Sequence, residues 1–495
     1  MSLFGSLTTA VSGLDAQQEA LSNISNNIAN SQTVGYKEVD TAFQELVTQS
    51  NENFNAPGGV SARPVYLNGV AGTPLQTQVS TNIAISGTGN GFFVVKAPPT
   101  IDSSGNADFS NQDFYTRAGD FQQNSQNFLT NSAGYYLEGY PVDPTTGTVN
   151  NSTLEPIQVP QTIIQPQATA NVDVTANLPS NSAAVGSSGY TSPAPATETV
   201  YDAQGNPYTL TTQYDFMGSG QTNPAGTTGL DEWQATYTIS PSATGGPGST
   251  GAPYVVDMYF NTSASSATTG QPAGTLASIN GVNTTTPYYD SANAEMTTGA
   301  TGADPNINSD SSSIDITSGA AQISQLSFAT PGGALQFNLN YGTIGSAPST
   351  SSTTGSLSEY SGSTVDVSAQ NQDGFTTGTA NGTSIDDNGF VSVTYSNGLS
   401  RKYFQIPLAQ FSAPQNLSRQ TGSVFSVSPD SGQPQVSAPG ANGAGTISPS
   451  EVEQSNVDIA SQFTQMIVTQ QAYSANSKVI TTADSMLTTL LQSVQ

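Results

Sequence analysis

Apolar residues recur at seven-residue intervals at both ends of the chain. Near the N-terminus Leu7, Leu14, Leu21 and Ile28 form one row, with Leu3, Ala10 and Ile24 at the three-residue spacings beside it. The pattern predicts a helix over about residues 3–30 with a narrow apolar seam. Asn26, Asn27 and Asn30, followed by Gly35, tolerate left-handed backbone and read as its end. At the other end Ile459, Met466, Tyr473, Ile480, Leu487 and Val494 keep a strict heptad, flanked by Phe463, Ala483, Leu490 and Leu491. Such a repeat favours left-handed supercoiling. Ser448, Pro449 and Glu451 fit a capping box, and Ser455 with Asp458 offers a second start. A helix over 456–494 would be a rod about 58 Å long.

Between the ends the period changes to two. Short β patterns bounded by turn residues run over Phe92–Lys96, Tyr135–Val142, Trp233–Ile239, Tyr254–Phe260, Ala334–Tyr341 and Phe390–Phe404. Asn397-Gly398 lies between alternating runs and is the strongest hairpin signal, with Asp202–Asn206 marking another. Residues 262–320 and 343–366 are rich in Ser, Thr, Gly and Ala, which fits long surface loops or a small peripheral domain. An apolar stripe in an ordinary globular protein packs on its own core. Here both stripes lie at the ends of a chain that is otherwise strand and loop, so each helix has the other helix and neighbouring copies as partners. The expected fold is α+β and multidomain: paired, coiled-coil-like terminal helices with mainly β domains inserted between them.

Charge sharpens the division. Of 495 residues, 8 are Lys or Arg and 35 Asp or Glu, a net charge of −27 with no histidine. A nucleic-acid or anionic-membrane partner is excluded on that balance, and no 18-residue apolar run exists to span a membrane. No Lys or Arg occurs between Arg117 and Arg401, so the middle is compositionally separate and reads as an insertion in a scaffold made by the two ends. The first cation is Lys37, which leaves no basic region for a cleavable secretory signal; export, if it occurs, is expected by another route. The sequence lacks His and Cys, which removes Ser-His-Asp and Cys-His nucleophile systems and the common zinc, copper, haem and iron–sulfur ligand sets.

The remaining chemistry is thin. Asp304, Asn306, Asn308, Asp310 and Asp315 occupy calcium-loop positions, but Ser309 replaces the turn glycine and Asp315 the bidentate glutamate. Asp231-Glu232 beside Trp233, and Asp386-Asp387, are the places to seek a glycosidase carboxylate pair. Adjacent carboxylates on one strand point to opposite faces. No phosphate-binding glycine loop is present. The expectation is a non-enzymatic chain with no catalytic, cofactor-binding or metal site.

At Ser22–Lys37, SNISNNIANSQTVGYK, the sequence resembles the N-terminal motif of the bacterial flagellar axial proteins of rod, hook and hook–filament junction. The matching residues are Asn26, Asn27, Ile28, Ala29, Asn30, Thr33, Gly35, Tyr36 and Lys37. Residues Ser455–Leu491 look like that family's C-terminal helix, with Gln471 where arginine is usual. ISGTGNGFFVV from Ile85, the stretch from Tyr115 to Asp143 and the stretch from Gln372 to Gly398 resemble the scaffold domain shared by hook and distal-rod members. The long middle sides with the hook branch.

The resemblance implies a structural subunit that polymerises with itself into a curved, flexible tube passing motor torque from rod to filament. It implies terminal helices lining the inner tube, and export from the cytoplasm by the flagellar type III apparatus with an uncleaved signal. The distal rod protein, the hook-associated junction protein and the hook cap are the implied partners, and the extracellular hook of the flagellum is the implied location. The layout then reads as an inner-tube helix (1–30), a connecting segment (31–75), a β scaffold in two parts (76–145 and 365–432), an outer insertion (146–364, with a subdomain near 240–320), a second connector (433–454) and the C-terminal inner-tube helix (455–495). Leu7, Leu14, Leu21, Ile28, Ile459, Phe463, Met466, Tyr473, Ile480, Leu487, Leu490 and Val494 form the expected assembly seam. The alternatives are another axial protein, or a secreted β-rich adhesin or surface-layer protein.

Overall fold

The computed structural model describes residues 3–51, 54–87, 91–101, 107–223, 226–241, 254–279, 288–289, 295–296, 320–330, 333–345 and 355–493. Among these the chain is mainly β, with three α-helices: α1 (Leu3–Ala29), α2 (Ser263–Thr269) and α3 (Ile459–Ser493). It divides into two compact units. The terminal unit comprises Met1–Thr162 and Ala380–Gln495, and the middle unit Ile163–Thr379.

In the terminal unit, strands from before and after the insertion interleave in one antiparallel sheet. Its order is Ala380–Ile385, Phe390–Tyr395, Ser400–Gln405, Tyr136–Pro141, Phe92–Lys96, Asp113–Thr116, Val424–Ser426 and Ser418–Gln420. Phe92, Phe93, Val94 and Val95 are all buried, the signature of a strand covered on both faces. The Asn397-Gly398 hairpin forms as expected: Gly398 takes φ 84° and its N–H donates to the Tyr395 carbonyl at 3.0 Å.

Residues 39–66, inside the stretch read as a connector, form an antiparallel hairpin of β1 (Val39–Asn51) and β2 (Phe54–Tyr66), with Val39 opposite Tyr66. Pro57, Gly58, Gly59 and Pro64 had hidden its alternation.

The capping box expected at Ser448, Pro449 and Glu451 is corrected by the structure. Thr446–Pro449 pairs with Ile83–Ser86, and Glu451–Glu453 with Pro74–Gln76. Burial of Ile447 and Val452 against partners far away in sequence outweighs the local helix signal. The helix starts at the second of the two expected places, after Asp458, whose Oδ1 accepts the N–H groups of Ala460 at 2.9 Å and Ser461 at 3.2 Å.

The middle unit holds two five-stranded sheets. One is a meander of Ala196–Tyr201, Pro207–Thr222, Thr228–Pro241, Tyr254–Asn261 and Leu276–Ile279; the other centres on Asn171–Asn177. Alternate residues of Pro207–Thr222 point inward, so Tyr208, Leu210, Tyr214 and Phe216 join Trp233, Tyr237, Phe260 and Phe337 in one core. The Asp202–Asn206 turn closes as expected, with Asp202 N–H donating to Asn206 O at 3.2 Å. Residues 263–269, in the stretch read as surface loops or a small peripheral domain, form the short helix α2, because Thr262 supplies a capping box with Ser265. The calcium-loop residues 304–315 lie outside the described residues.

Candidate assembly site: the terminal helices and their junction

Helix α1 is framed on two sides. Ser12 Oγ accepts the Val60 N–H of β2 at 3.1 Å, and Asn23 Nδ2 donates to Thr41 Oγ1 of β1 at 2.9 Å. On the other side Asn27 Nδ2 donates to Gln462 Oε1 of α3 at 3.0 Å. The buried line of α1 is Ala10, Gly13, Ala16, Ala20, Ile24 and Asn27. Small side chains there allow close approach: a Cβ on Gly13 would stand 2.8 Å from Asn476 Nδ2 of α3. Leu7, Leu14, Leu21 and Ile28 sit at the edges of this line, half-buried.

Helix α3 buries Gln462, Thr469 and Ala483, with Met466, Asn476, Ile480 and Leu487 half-buried along the same heptad face. Its other large apolar side chains among the described residues are exposed. Ile459, Phe463 and Ile467, four apart, share one flank at 40%, 50% and 55% exposure. Val468, Tyr473, Val479 and Met486 are also open to solvent. An open groove of ≈ 310 Å³ runs beside α3, lined by Ala20, Ile24, Val39, Phe43, Val468 and Thr469 among others. Leu490, as a side chain, and Val494 lie outside the described residues.

The motif after α1 forms a polar lock. Asn27 uses all its hydrogen-bonding capacity: Nδ2 donates to Val39 O at 2.9 Å and to Gln462, while Oδ1 accepts from Val39 N at 3.0 Å and from the Tyr36 hydroxyl at 3.2 Å. Gln462 Nε2 donates to Glu38 Oε1 at 2.8 Å. Asn27 therefore joins α1, β1 and α3, and the helix ends just beyond it, at Ala29. Gly35 does supply a left-handed turn at φ 66°, and a Cβ there would stand 2.4 Å from Ala118 N. Asn30 Nδ2 donates to Asn26 O at 2.9 Å and Thr33 Oγ1 to Asn30 Oδ1 at 3.2 Å. The side chains of Asn26 and Ala29 face solvent.

Below the lock is a buried ion cluster. Glu453 accepts Lys37 Nζ, the Gly72 N–H at 2.7 Å and Arg117 Nη1 at 3.3 Å, with all three side chains at most 1% exposed. Lys37 Nζ also donates to Val70 O at 2.6 Å, and the Arg117 guanidinium lies 4.9 Å from the Phe92 ring centre. Burial, with help from Arg117, lowers the Lys37 pKa to about 8 against the pull of Glu453. The Arg117 guanidinium is likewise lowered by burial. One carboxylate thus fastens the segment after α1, the sheet and the strand leading to α3.

Comparison with known proteins follows this geometry. The model of the flagella basal body rod protein family matches residues 7–37, that of the flagellar hook protein FlgE/F/G D1 domain residues 84–177, and that of the flagellar basal body rod FlgEFG protein C-terminal region residues 449–493. The flagellar hook protein FlgE of Rhizobium meliloti is 31% identical over 496 residues, covering 99% of each chain. The chain belongs to the flagellar hook protein family. FlgE of Brucella suis is 28% identical over 491 residues, again with 99% of each covered. The crystal structure of Helicobacter pylori hook protein FlgE2 aligns with a TM-score of 0.47 at 14% identity, covering 75% of this chain and 98% of that one. As a hook-family member the chain is a structural subunit of the flagellar hook.

In these family terms the N-terminal match ends on Lys37, and the C-terminal match contains its partner Glu453. Sequence reasoning missed Glu453, Arg117 and Gln462. Lys37 and Glu453 lie 416 residues apart, so no local pattern joins them. Of the carboxylates considered for a glycosidase, Glu232 accepts the Tyr259 hydroxyl at 3.2 Å. Trp233 is fully buried and bonds Glu359, while Asp386 Oδ1 accepts the N–H groups of Asn388 and Phe390 in a turn. Among the described residues no helix is long and apolar enough to cross a membrane.

Proposed function

We propose that this hook-family chain polymerises through its terminal helices into a curved tube that carries motor torque while it bends. The observation that carries the reading is the apolar flank Ile459, Phe463 and Ile467 of α3, exposed in a helix that already has α1 on its heptad face. Burying such side chains between copies contributes up to roughly 1.5–3 kcal/mol each, repeated at every subunit. The seam Leu7, Leu14, Leu21, Ile28, Met466, Ile480 and Leu487 then sets the α1–α3 pair in coiled-coil-like fashion, and the exposed residues set the pair against its neighbours. The β scaffold and the insertion form the outer parts. The distal rod protein, the junction protein and the cap meet the ends of the tube, and the flagellar type III apparatus exports the chain without cleavage.

The test is electron microscopy of the concentrated protein. Curved tubes are the expected result; straight fibres would favour another axial role, and an absence of assemblies at any concentration would refute the reading. Removing residues 2–35 is expected to abolish secretion and tube formation while leaving the β sheets folded, as circular dichroism would show.

A further inference from the structure

Seven Asn-Gly pairs punctuate the sequence, at Asn68, Asn90, Asn280, Asn381, Asn388, Asn397 and Asn442. Glycine offers no side chain to hinder its own nitrogen, and asparagine before it is the usual seat of spontaneous amide loss, one source of the thermolability of asparagine. The fold decides which pairs can react. Five lie among the described residues, and four of these are restrained. Asn68 is fully buried and its amide donates to Pro414 O at 3.0 Å. Gly389 N–H is held by Asp386 O at 2.9 Å. Gly398 N–H is held by Tyr395 O at 3.0 Å, and Asn397 Oδ1 accepts the Leu399 N–H at 3.2 Å. Gly382 stands in a strand ladder opposite Thr394.

Asn442-Gly443 differs on each count. It forms the centre of a turn between Gln435–Ser437 and Thr446–Pro449, closed by bonds from Ala444 N–H to Ala441 O and from Gly440 N–H to Gly445 O, each at 2.9 Å. Both residues are exposed, and neither the Asn442 side chain nor the Gly443 N–H has a hydrogen-bond partner among the described residues. Asn442 takes φ 52° and Gly443 φ 81°, the paired left-handed geometry of a type I′ turn, which an L residue with a Cβ adopts at a cost of roughly 1–2 kcal/mol.

We propose that Asn442 is a site of spontaneous deamidation in the folded chain. The Gly443 backbone nitrogen attacks Asn442 Cγ, the side-chain amide leaves as ammonia with the Gly443 proton, and a five-membered succinimide forms. Water opens the ring at either carbonyl, returning the proton to the Gly443 nitrogen and leaving aspartate or isoaspartate. The change adds one negative charge and, as isoaspartate, one backbone methylene in the loop that leads to the strand paired with Ile83–Ser86. The reaction needs only water and time, so the converted fraction records the age of the chain.

The experiment is to age the purified full-length protein in mildly alkaline buffer, folded and in urea, and to map it by mass spectrometry. The tryptic peptide of residues 420–478 contains Asn442 as its one Asn-Gly pair. In the folded chain this peptide is expected to gain the mass of an Asn-to-Asp exchange, as a mixture with isoaspartate, several-fold faster than Asn68, Asn388 or Asn397. In urea the rates should converge. Conversion of Asn388 or Asn397 in the folded chain as fast as Asn442, or the same ranking in urea as in the folded protein, would overturn the proposal.

Discussion

Two buried glutamates, one in each unit, solve the same energetic problem differently. Glu453 in the terminal unit keeps company with two cations and a backbone N–H. Glu359 in the middle unit, 3% exposed, has the Trp233 indole as its donor at 2.9 Å, and no Lys, Arg or His exists anywhere between Arg117 and Arg401. Its pKa is therefore pushed up to about 8, by burial first and by the charge of Asp231 second, with the indole opposing. The charge-poor insertion keeps Glu359 by protonation, whereas the scaffold keeps Glu453 by pairing. The pairing spends a quarter of the chain's cations on one spot that fastens both chain ends to the sheet, while the middle unit relies on a large aromatic core.

The largest expected effect separates the two solutions. Glu453→Gln leaves Lys37 and Arg117 buried without a counter-charge and should cost about 3–5 kcal/mol. Calorimetry should show the transition of the terminal unit lost or strongly lowered and that of the middle unit kept; a shift shared equally by both would break the comparison.

The pH response comes next. Glu359 folded holds its proton where the unfolded chain, with an ordinary value of 4.5, has lost it. Its stabilisation is thus full below about pH 4.5 and is lost as pH rises to about 8, a change on the order of a few kcal/mol. Glu138 in the terminal unit, raised to about 7 by burial and by Asp113, acts the same way up to its own value. Lys37 acts oppositely: lowered to about 8 from 10.5, it makes the folded terminal unit the less protonated state, so stability there rises between those values. Melting curves from pH 5 to 8 should fall for both units, and from pH 8 to 10 this contribution should recover in the terminal unit alone. Glu359→Gln, which keeps an acceptor for Trp233, should flatten the slope of the middle unit; an unchanged slope would show that Glu359 is not its source.

A smaller effect concerns access. Trypsin should spare Lys37 and Arg117, both buried, and cut first at exposed Lys478 and Arg63, leaving a core that retains residues 118–400. Early cleavage at Lys37 would contradict the ion cluster.

Legibility followed sequence distance. Both terminal helices, the Asn397-Gly398 hairpin and the strands around Phe92, Trp233 and Phe337 were readable because period and turn chemistry are local. The β1–β2 hairpin was missed because proline and glycine interrupt it. The helix start at Asp458 was legible, whereas the capping box at Ser448, Pro449 and Glu451 was a local signal that distant strand pairing overrides. Of the junction, the motif residues stood out by resemblance, but their purpose lay in Gln462, Arg117 and Glu453, which no spacing rule connects. The exposed flank of α3 was half legible: the heptad showed that the helix would be apolar, and only packing showed which residues α1 leaves uncovered.

The central claim is that this uncovered flank is what copies of the chain use to assemble. The direct measurement is electron microscopy of a Phe463→Asp, Ile467→Asp variant beside the parent protein, with calorimetry on the same samples. The account predicts curved tubes from the parent, none from the variant, and both melting transitions preserved, because these side chains are exposed in the single chain. Normal tubes from the variant would contradict it.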